Sequence, residues 1–437
     1  MEIVEQKKEK FTQSLTFKAI TVVALTLLLL IPNAMIQGLI SERQQRSRET
    51  INQINEKWSL AQTLCPPVLV VPYTTTVKEK IDDKMQIVTQ SHKLYIMPEN
   101  AEITAQILPE ERHLSIYKSI VYKSDMHISG NFVAFNNLQI ENSVLHFDKA
   151  YISLEISDLR GIMQEIDFTI NGKKLLAKAG ARGVIKGKSM IFALDETALN
   201  SALGFSFDCT LKLKGSNSIY FIPVAKNTKV SVSGNWTAPG FIGNFLPEYK
   251  IDEKAENFSA EWNILSFNRS IPEKWSDINH DIEQNSFGVD LVQTIDHYQQ
   301  NMRSAKYALM FIALTFVVFF FIETITKRRI HPVQYLLVGI ALILFYSLLL
   351  SISEQIGFAL AYLIASAATI SLIVIYAAEI FKLKKATFIL ATTLATLYTF
   401  LYVVLQLEDL ALLIGSLGLF LILGIIMFIS RKVQWYK

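Results

Sequence analysis

The chain has 437 residues, 51% of them hydrophobic and 19% charged, with a formal net charge of +3 and a mean hydropathy of +0.30. That is too apolar for an ordinary soluble protein, and the charge is too small for a nucleic-acid binder, which needs a concentrated basic face. Two cysteines, Cys65 and Cys209, exclude a disulfide-rich scaffold and any CxxC metal or redox motif.

The apolar residues are concentrated in one block near the N-terminus and in most of the chain after residue 306. A helix needs about 20 apolar residues to cross the hydrocarbon core. Six segments qualify: 17–39, 307–325, 333–351, 358–380, 387–405 and 410–429. The first is longer than the apolar region of a signal peptide and has no A-x-A site after it, so a retained signal anchor is expected. Lys7, Lys8, Lys10 and Lys18 precede or open it. Lys327, Arg328 and Arg329 follow the second span, Lys382, Lys384 and Lys385 the fourth, and Arg431, Lys432 and Lys437 the sixth. The alternate connections SISEQIG and QLED carry no Lys or Arg. The positive-inside rule then places both termini in the cytoplasm (tails 1–16 and 430–437) and residues 41–305 outside.

The predicted fold class is therefore a six-span α-helical membrane protein with a large β-rich domain inserted between the first and second spans. Residues 65–275 read as β: VLVVPYTTTV, MQIVTQSHKLYIM, FSFDCTLKLKG and TKVSVSGNW alternate or carry β-branched and aromatic residues. Asn171-Gly172 is a hairpin-turn pair. A sandwich-like, two-sheet fold is expected, with a division into subdomains near residue 150. Two helical stalks are expected to flank it. Residues 40–64 carry Ile40, Ile51, Ile54, Trp58 and Ala61 at helical spacing, and 276–306 carry Val289, Val292, Ile295, Tyr298 and Met302.

Residues that could carry chemistry are sparse. His92, His113, His127, His146, His280 and His297 show no i, i+4 metal pair and no HExxH, and no GxSxG, Walker or dinucleotide motif occurs. No catalytic residue, cofactor or metal is assigned. A structural bridge between Cys65 and Cys209 and two separate buried thiols both remain open. Within the apolar blocks the only acids are Glu323 and Glu379, each near a cytoplasmic end. The spacing pairs Glu323 with Lys327 and Glu379 with Lys382. Small residues Gly357, Ala361, Ala365 and Ala368, and threonines Thr392, Thr396 and Thr399, form stripes suited to close helix packing or to a lipid groove.

Other residues carry a resemblance. Trp58, Gln62, Pro67, Leu69, Val71, Pro72 and Tyr73 open the external domain. Asn235-Trp236, Pro239, Phe241, Gly243, Phe245-Leu246-Pro247, Phe258, Ala260, Trp262, Arg269 and Pro272 follow. Phe287-Gly288-Val289, Asp296, Tyr298, Arg303, Lys306 and Tyr307 lead into the second span. Thr315-Phe316, Glu323, His331-Pro332, Gln334-Tyr335, Gly339, Phe345-Tyr346 and Ser351 to Glu354 mark the membrane part. In this pattern the chain resembles the CreD family of bacterial inner-membrane, or cell envelope integrity, proteins, from Glu42-Arg43 to about Tyr376. Pro66 departs from it, standing where a glycine is expected.

The resemblance implies an inner-membrane protein of Gram-negative bacteria concerned with envelope maintenance, tolerance of colicin-type toxins and β-lactam stress. It implies no catalytic residues. The expected partners are the lipid bilayer and an envelope protein or lipid of open identity, with no nucleic acid. Candidate membrane-interface residues are Arg303, Lys306, Glu323, His331, Gln334, Tyr335 and Glu354, with Glu354 expected to pair with Arg303 or Lys306. Trp236, Phe241, Phe245 and Trp262 are either aromatic core or a surface patch. Two other readings stand beside this one: a lipid or envelope-component carrier using a groove in the helical bundle, and a periplasmic hydrolase.

Overall fold

The computed structural model describes residues 15–431, apart from 82–83, 135–139, 181–182, 184, 186–187, 195–203, 253, 278–280, 292–296, 327 and 408–409. Several positions singled out in the sequence lie outside the described residues: Lys7, Lys8, Lys10, His280, Val292, Ile295, Lys327, the Glu408-Asp409 acids, Lys432 and Lys437. The chain divides into two compact units, Met1–Arg48 with Ile295–Lys437, and Glu49–Thr294.

The first unit is helical. Helix α1 (Leu15–Leu28) passes through a one-residue turn at Leu29 into α2 (Leu30–Trp58). The break has a covalent cause, because Pro32 has no N–H to donate to the carbonyl of Leu28 four residues back. Leu29 itself is buried, and Gly339 makes room for it: a Cβ on that glycine would run into the Leu29 side chain. The later helices are α3 (His297–Lys306), α4 (Ala308–Thr326), α5 (Pro332–Ile356), α6 (Phe358–Phe381), α7 (Lys384–Gln406) and α8 (Ala411–Ser430).

Among the described residues, five helices are long and apolar enough to cross a membrane: Phe17–Trp58, α4, α5, α6 and α7. Helix α8 is apolar over a shorter stretch, Leu413–Phe428. The SISEQ residues are the last turns of α5, and the connection to α6 is Gly357 alone, at φ 82°. Lys382, at φ 50°, closes α6 in the left-handed conformation.

The small-residue stripe holds only in part: Ala361 and Ala365 are buried among Phe345, Tyr346, Leu397 and Tyr398, whereas Gly357, in the connection before α6, and Ala368 are exposed. The packing alternative for the threonine stripe is overturned: Thr392, Thr396 and Thr399 are exposed. The hydroxyls of Thr396 and Thr399 return to carbonyls four residues back. The packed face of α7 is instead built by Leu390, Leu394, Leu397, Tyr398 and Leu401, whose larger apolar surface gains more from burial.

The second unit consists of two β-sheets around one core. The larger sheet runs β14 (Gly240–Gly243), β18 (Phe287–Asp290), β12 (Ser218–Phe221), β1 (Gln62–Ile81), β6 (Tyr151–Ile156), β10 (Lys188–Ala193) and β9 (Lys178–Ala179). Strands β2 (Lys84–Ile96) and β5 (Ser143–Leu145) also pair with β1, and β17 (Lys274–Ser276) pairs with β2. The smaller sheet runs β15 (Glu248–Asp252), β16 (Asn257–Leu265), β13 (Asn227–Gly234), β3 (Asn100–Leu114), β4 (Tyr117–Phe132), β11 (Phe205–Ser216), β7 (Asp167–Ile170) and β8 (Lys173–Leu175).

Alternation dictates which face is inside. Every second residue of β11 is buried from Phe205 to Leu213, and β16 buries Phe258, Ala260, Trp262 and Ile264. These residues meet Leu69, Val71, Ile152, Leu154 and Phe192 of the other sheet in a single cluster. Phe168 and Phe192 stack across it at 4.1 Å. Asn171 and Gly172 form the two-residue turn between β7 and β8, at φ 48° and 78°, the positive pair that such a hairpin requires.

No division falls near residue 150. Strand β6, just after it, pairs with β1 and β10, and strands from both sides of that point alternate in both sheets, so neither half has a core of its own. The stalk assignments also change at their ends. Strand β1 takes up Gln62 to Leu64, and Phe287–Asp290 is strand β18 rather than helix. Phe287, Val289 and Leu291 are all buried, a period of two that outweighs the helical spacing read from Val289 onward. At Pro66-Pro67 the register of β1 against β6 slips by one residue, as expected where two consecutive residues lack an N–H.

Candidate functional site

The segment between α4 and α5 is the most organised polar region of the helical unit. His331 is the N-cap of α5: its Nδ1 accepts from the Val333 N–H at 3.3 Å, and Gln334 Oε1 accepts from the His331 N–H at 2.9 Å. Pro332 occupies the first helical position, where its missing N–H costs nothing. The reciprocal bonds are a capping box with histidine in the usual serine or threonine role. His331 and Gln334 thus have a local physical explanation.

Tyr335 points the other way. It is buried, and its hydroxyl donates to Glu323 Oε2 at 3.0 Å. Glu323 has only 4% of its side chain exposed and also accepts from the Ile330 N–H at 3.1 Å. Its cation is Lys18 of α1, at 2.5 Å, 305 residues away in sequence. The expected i, i+4 partner Lys327 lies outside the described residues. A buried carboxylate requires a cation and hydrogen bonds together, and Glu323 has both from three separate segments.

Around this group lies a cavity of about 390 Å³, bounded by the first turns of α1 and by residues 329–335. A second, of about 510 Å³, lies between α6 and α7 against Lys382 and Lys384. Both are at the same end of the helical unit. Glu379, also at that end, is exposed, and no ion pair joins it to Lys382. The left-handed turn at Lys382 breaks the helical spacing that would have brought them together.

At the opposite end, Glu354 does not pair with Arg303 or Lys306. Its Oε1 accepts from the Tyr298 hydroxyl at 3.0 Å. Arg303 donates to the Leu407 carbonyl at 3.2 Å, at the C-terminus of α7, where a cation is favoured by the helix dipole. Lys306 is exposed. Tyr298, Asn301 and Ser304 occupy the inward face of α3, so a tyrosine, not a lysine, meets Glu354. Asn301 donates to Ser353 at 2.8 Å, next to that pair.

In the β unit, Trp262 is buried, donates to the Phe245 carbonyl at 3.0 Å and lies 5.2 Å from Phe287. Phe241 meets it edge-on at 6.1 Å, and Trp236, Phe241 and Phe245 are partly buried against the inter-sheet core. Arg269 is also buried, and its guanidinium donates to the carbonyls of Val224, Ala225 and Ile271. Cys65 and Cys209 are separate buried thiols, Cys209 in the inter-sheet core and Cys65 in a second cluster with Tyr95 and Trp275. Burial pushes the Cys209 thiol up to about 12, out of the nucleophilic range.

Two groups in the β unit carry no local sequence signal. Thr75 Oγ1 lies 3.0 Å from His92 Nε2, and His92 Nδ1 lies 2.9 Å from Asp277 Oδ2. The order matches a nucleophile–base–acid line, but β1 is paired on both sides at Thr75, by β2 and β5, so its backbone amides are spent in the ladder. An oxyanion site needs such donors free. Asp277 also bonds the Lys93 N–H, which makes the group a latch between the β17 segment and the β1–β2 ribbon.

The second group joins the end of α2 to the sheets. Asp158 accepts from Ser59, the Leu60 N–H and Arg160, and Gln62 bonds Ser59, Asp158 and Lys214. Trp58 lies under Arg112 and Lys214, at 4.7 and 4.9 Å. Burial alone would raise the Asp158 carboxyl, but the hydrogen bonds outweigh it and hold it at about 2. The stability this carboxylate contributes is present above its unfolded pKa near ~4 and is lost as pH falls through about 2. Asp158→Asn is therefore expected to flatten the acid limb of unfolding between pH 4 and 2, read by tryptophan fluorescence; an unchanged limb would refute this.

Among the described residues no three His, Cys, Asp or Glu side chains converge as a metal-binding group. The family model described as Inner membrane protein CreD matches residues 14–436. The chain is 30% identical over 424 residues to Inner membrane protein CreD of Escherichia coli (strain K12), covering 97% of this chain and 94% of that protein.

Proposed function

Because this chain belongs to the CreD family of inner membrane proteins, we propose that it is a non-enzymatic envelope-maintenance protein whose β unit recognises an envelope component. In this reading α8 is a sixth span, both termini are cytoplasmic, and residues from about 41 to 305 are periplasmic. Recognition is coupled to the helical bundle, and the physiological output is envelope integrity, colicin tolerance and resistance to β-lactam stress. One observation carries it: Glu49–Thr294 is a unit of two sheets on one shared core, inserted between the first apolar helix and the rest. The polar groups of the bundle support it too, since Glu323 and Glu354 sit at helix ends with partners rather than along a transport path.

The test is photo-crosslinking in living cells from Phe267, which is 94% exposed on the β unit. Capture of an envelope protein is the expected result, and capture of lipid with no protein would overturn the ranking. Reporter fusions at Gly357 and Leu383 should report opposite sides of the membrane.

The second reading is lipid or envelope-component handling within the bundle. The cavity between α6 and α7, apolar along Val374 and Phe388 and cationic at Lys382 and Lys384, favours it. Loss of lipid translocation in reconstituted vesicles after filling that cavity, for instance by Ala378→Trp, would promote this reading over the first.

A further inference from the structure

The hairpin between α6 and α7 carries lysines and a cavity together. Topology alone accounts for the lysines, because cations collect at one end of membrane helices. It does not require an indentation between the two helices beside them. Resting on the lipid reading of this cavity, we propose that its ligand is an anionic phospholipid, with the phosphate on Lys382 and Lys384 and the upper part of one acyl chain along Val374, Ala378 and Ala391. The shape comes from helical spacing. Val374, Ala378 and Lys382 recur every four residues at the end of α6, and Lys384, Thr387, Phe388 and Ala391 share one face at the start of α7. These two stripes bound a groove roughly two turns, or about 10 Å, in length. Its volume, about 510 Å³, lies within the range for small-ligand sites and takes a headgroup with the start of a chain, not a whole lipid.

Charge selects the ligand's sign. Among the described residues the lining includes two cations, Lys382 and Lys384, and no acid. Neither ammonium is joined to a carboxylate, whereas Lys18 at the other cavity is held by Glu323. Lys385 is exposed in the same first turn of α7 and adds a third positive charge, and Glu379, the acid at this end, is exposed and outside the lining. Away from the lysines the walls are apolar. Thr387 donates its hydroxyl to the Leu383 carbonyl at 3.3 Å, so its hydrogen is spent inside the helix. Ala378 and Ala391 are small enough to leave the groove open. A free anion would be held by the lysines alone, with no use for these walls. A zwitterionic headgroup brings its own cation to the same lysines and gains little. A headgroup of net negative charge with hydrocarbon beneath it matches both halves of the site.

The test is native mass spectrometry of the full chain released from micelles holding equal phosphatidylcholine and phosphatidylglycerol, read as the identity of the first lipid retained. Each cationic side chain near an anionic surface gives about a fivefold preference, so ~25-fold in favour of phosphatidylglycerol is expected for the pair. Lys382→Gln or Lys384→Gln alone should leave about fivefold, and the double variant should come close to unity. Ala391→Trp fills the groove with no change of charge and should abolish retention, while the thermal midpoint stays near that of the parent chain. Lys385→Gln, outside the lining, should leave the preference unchanged; a fall as large as that of Lys384→Gln would mean general surface attraction and overturn the groove. Inorganic phosphate in excess should compete only weakly, and full displacement would assign the site to the free anion and overturn the lipid source. Phosphatidylglycerol preference without translocation in vesicles would support this site and refute only the carrier reading. Translocation lost in Ala378→Trp, with the two lipids retained equally by the parent chain, would leave the carrier reading standing and overturn this proposal.

Discussion

Lys18→Met is expected to destabilise the helical unit by about 3–5 kcal/mol, the usual cost of removing one member of a buried ion pair. The cost arises at the other member. Glu323 is 4% exposed, whereas the Lys18 side chain is 31% exposed and loses less by being unpaired. Without its cation Glu323 has the Tyr335 hydroxyl and one N–H to hold a full negative charge in a buried site. The double variant Lys18→Met, Glu323→Gln should therefore recover most of the loss, because a neutral amide still bonds Tyr335 and carries no charge to desolvate. Thermal unfolding of purified full-length protein measures both variants. A parental midpoint for Lys18→Met, or a double variant no better than the single one, would show that the pair contributes little. Lys327→Met is the informative comparison, since spacing alone nominates Lys327 as the partner.

Arg269→Met should be of similar size in the β unit. The guanidinium is buried and joins three carbonyls, of Val224, Ala225 and Ile271, that no longer have this donor after substitution. The Ala225 carbonyl keeps the Thr228 hydroxyl; each of the other two acceptors left unbonded costs roughly 1–3 kcal/mol, so a total of about 2–5 kcal/mol is expected. The consequence extends beyond one side chain. Ile222, Val224 and Ile271 pack with Cys65, Val68 and Trp275 over the face of the larger sheet that points away from the main core. Arg269 holds both covering segments in place. Arg269→Lys should rescue little, because an ammonium lacks the planar fork that reaches several carbonyls at once. Unfolding followed by tryptophan fluorescence, with limited proteolysis of the 266–277 segment, checks it. A stability loss below about 1 kcal/mol would refute the clamp.

These two sites also mark the limit of what residue order reveals. Helix positions were legible because each long apolar run must satisfy its own backbone hydrogen bonds in a hydrocarbon medium, which only a helix does locally. The two-sheet class was legible from period-two alternation in segments such as FSFDCTLKLKG, and the Asn171-Gly172 turn from the positive φ that both residues tolerate. Pro332 announced the start of α5 for an equally local reason. Pairing across the chain was not legible. Spacing assigned Glu323 to a neighbour four residues on, but the partner found is Lys18, 305 residues earlier. Glu354 was assigned to a cation and meets Tyr298. The Thr392 to Thr399 stripe, read as a packing face or a lipid groove, is exposed, which overturns the packing alternative.

The physical reason is common to all of these. Local periodicity and covalent constraints act through neighbours in sequence and are encoded there directly, so the sequence by itself determined the apolar helices, the β character of the inserted unit and the helix start at Pro332, while the capping role of His331 and Gln334 came only from the structure. Which side chain completes a buried charge depends on which helices pack together, and many residue orders allow many such pairings. Only the tertiary structure decided that Lys18, Glu323 and Tyr335 close on one another beside a cavity, and that Arg269 holds its three carbonyls.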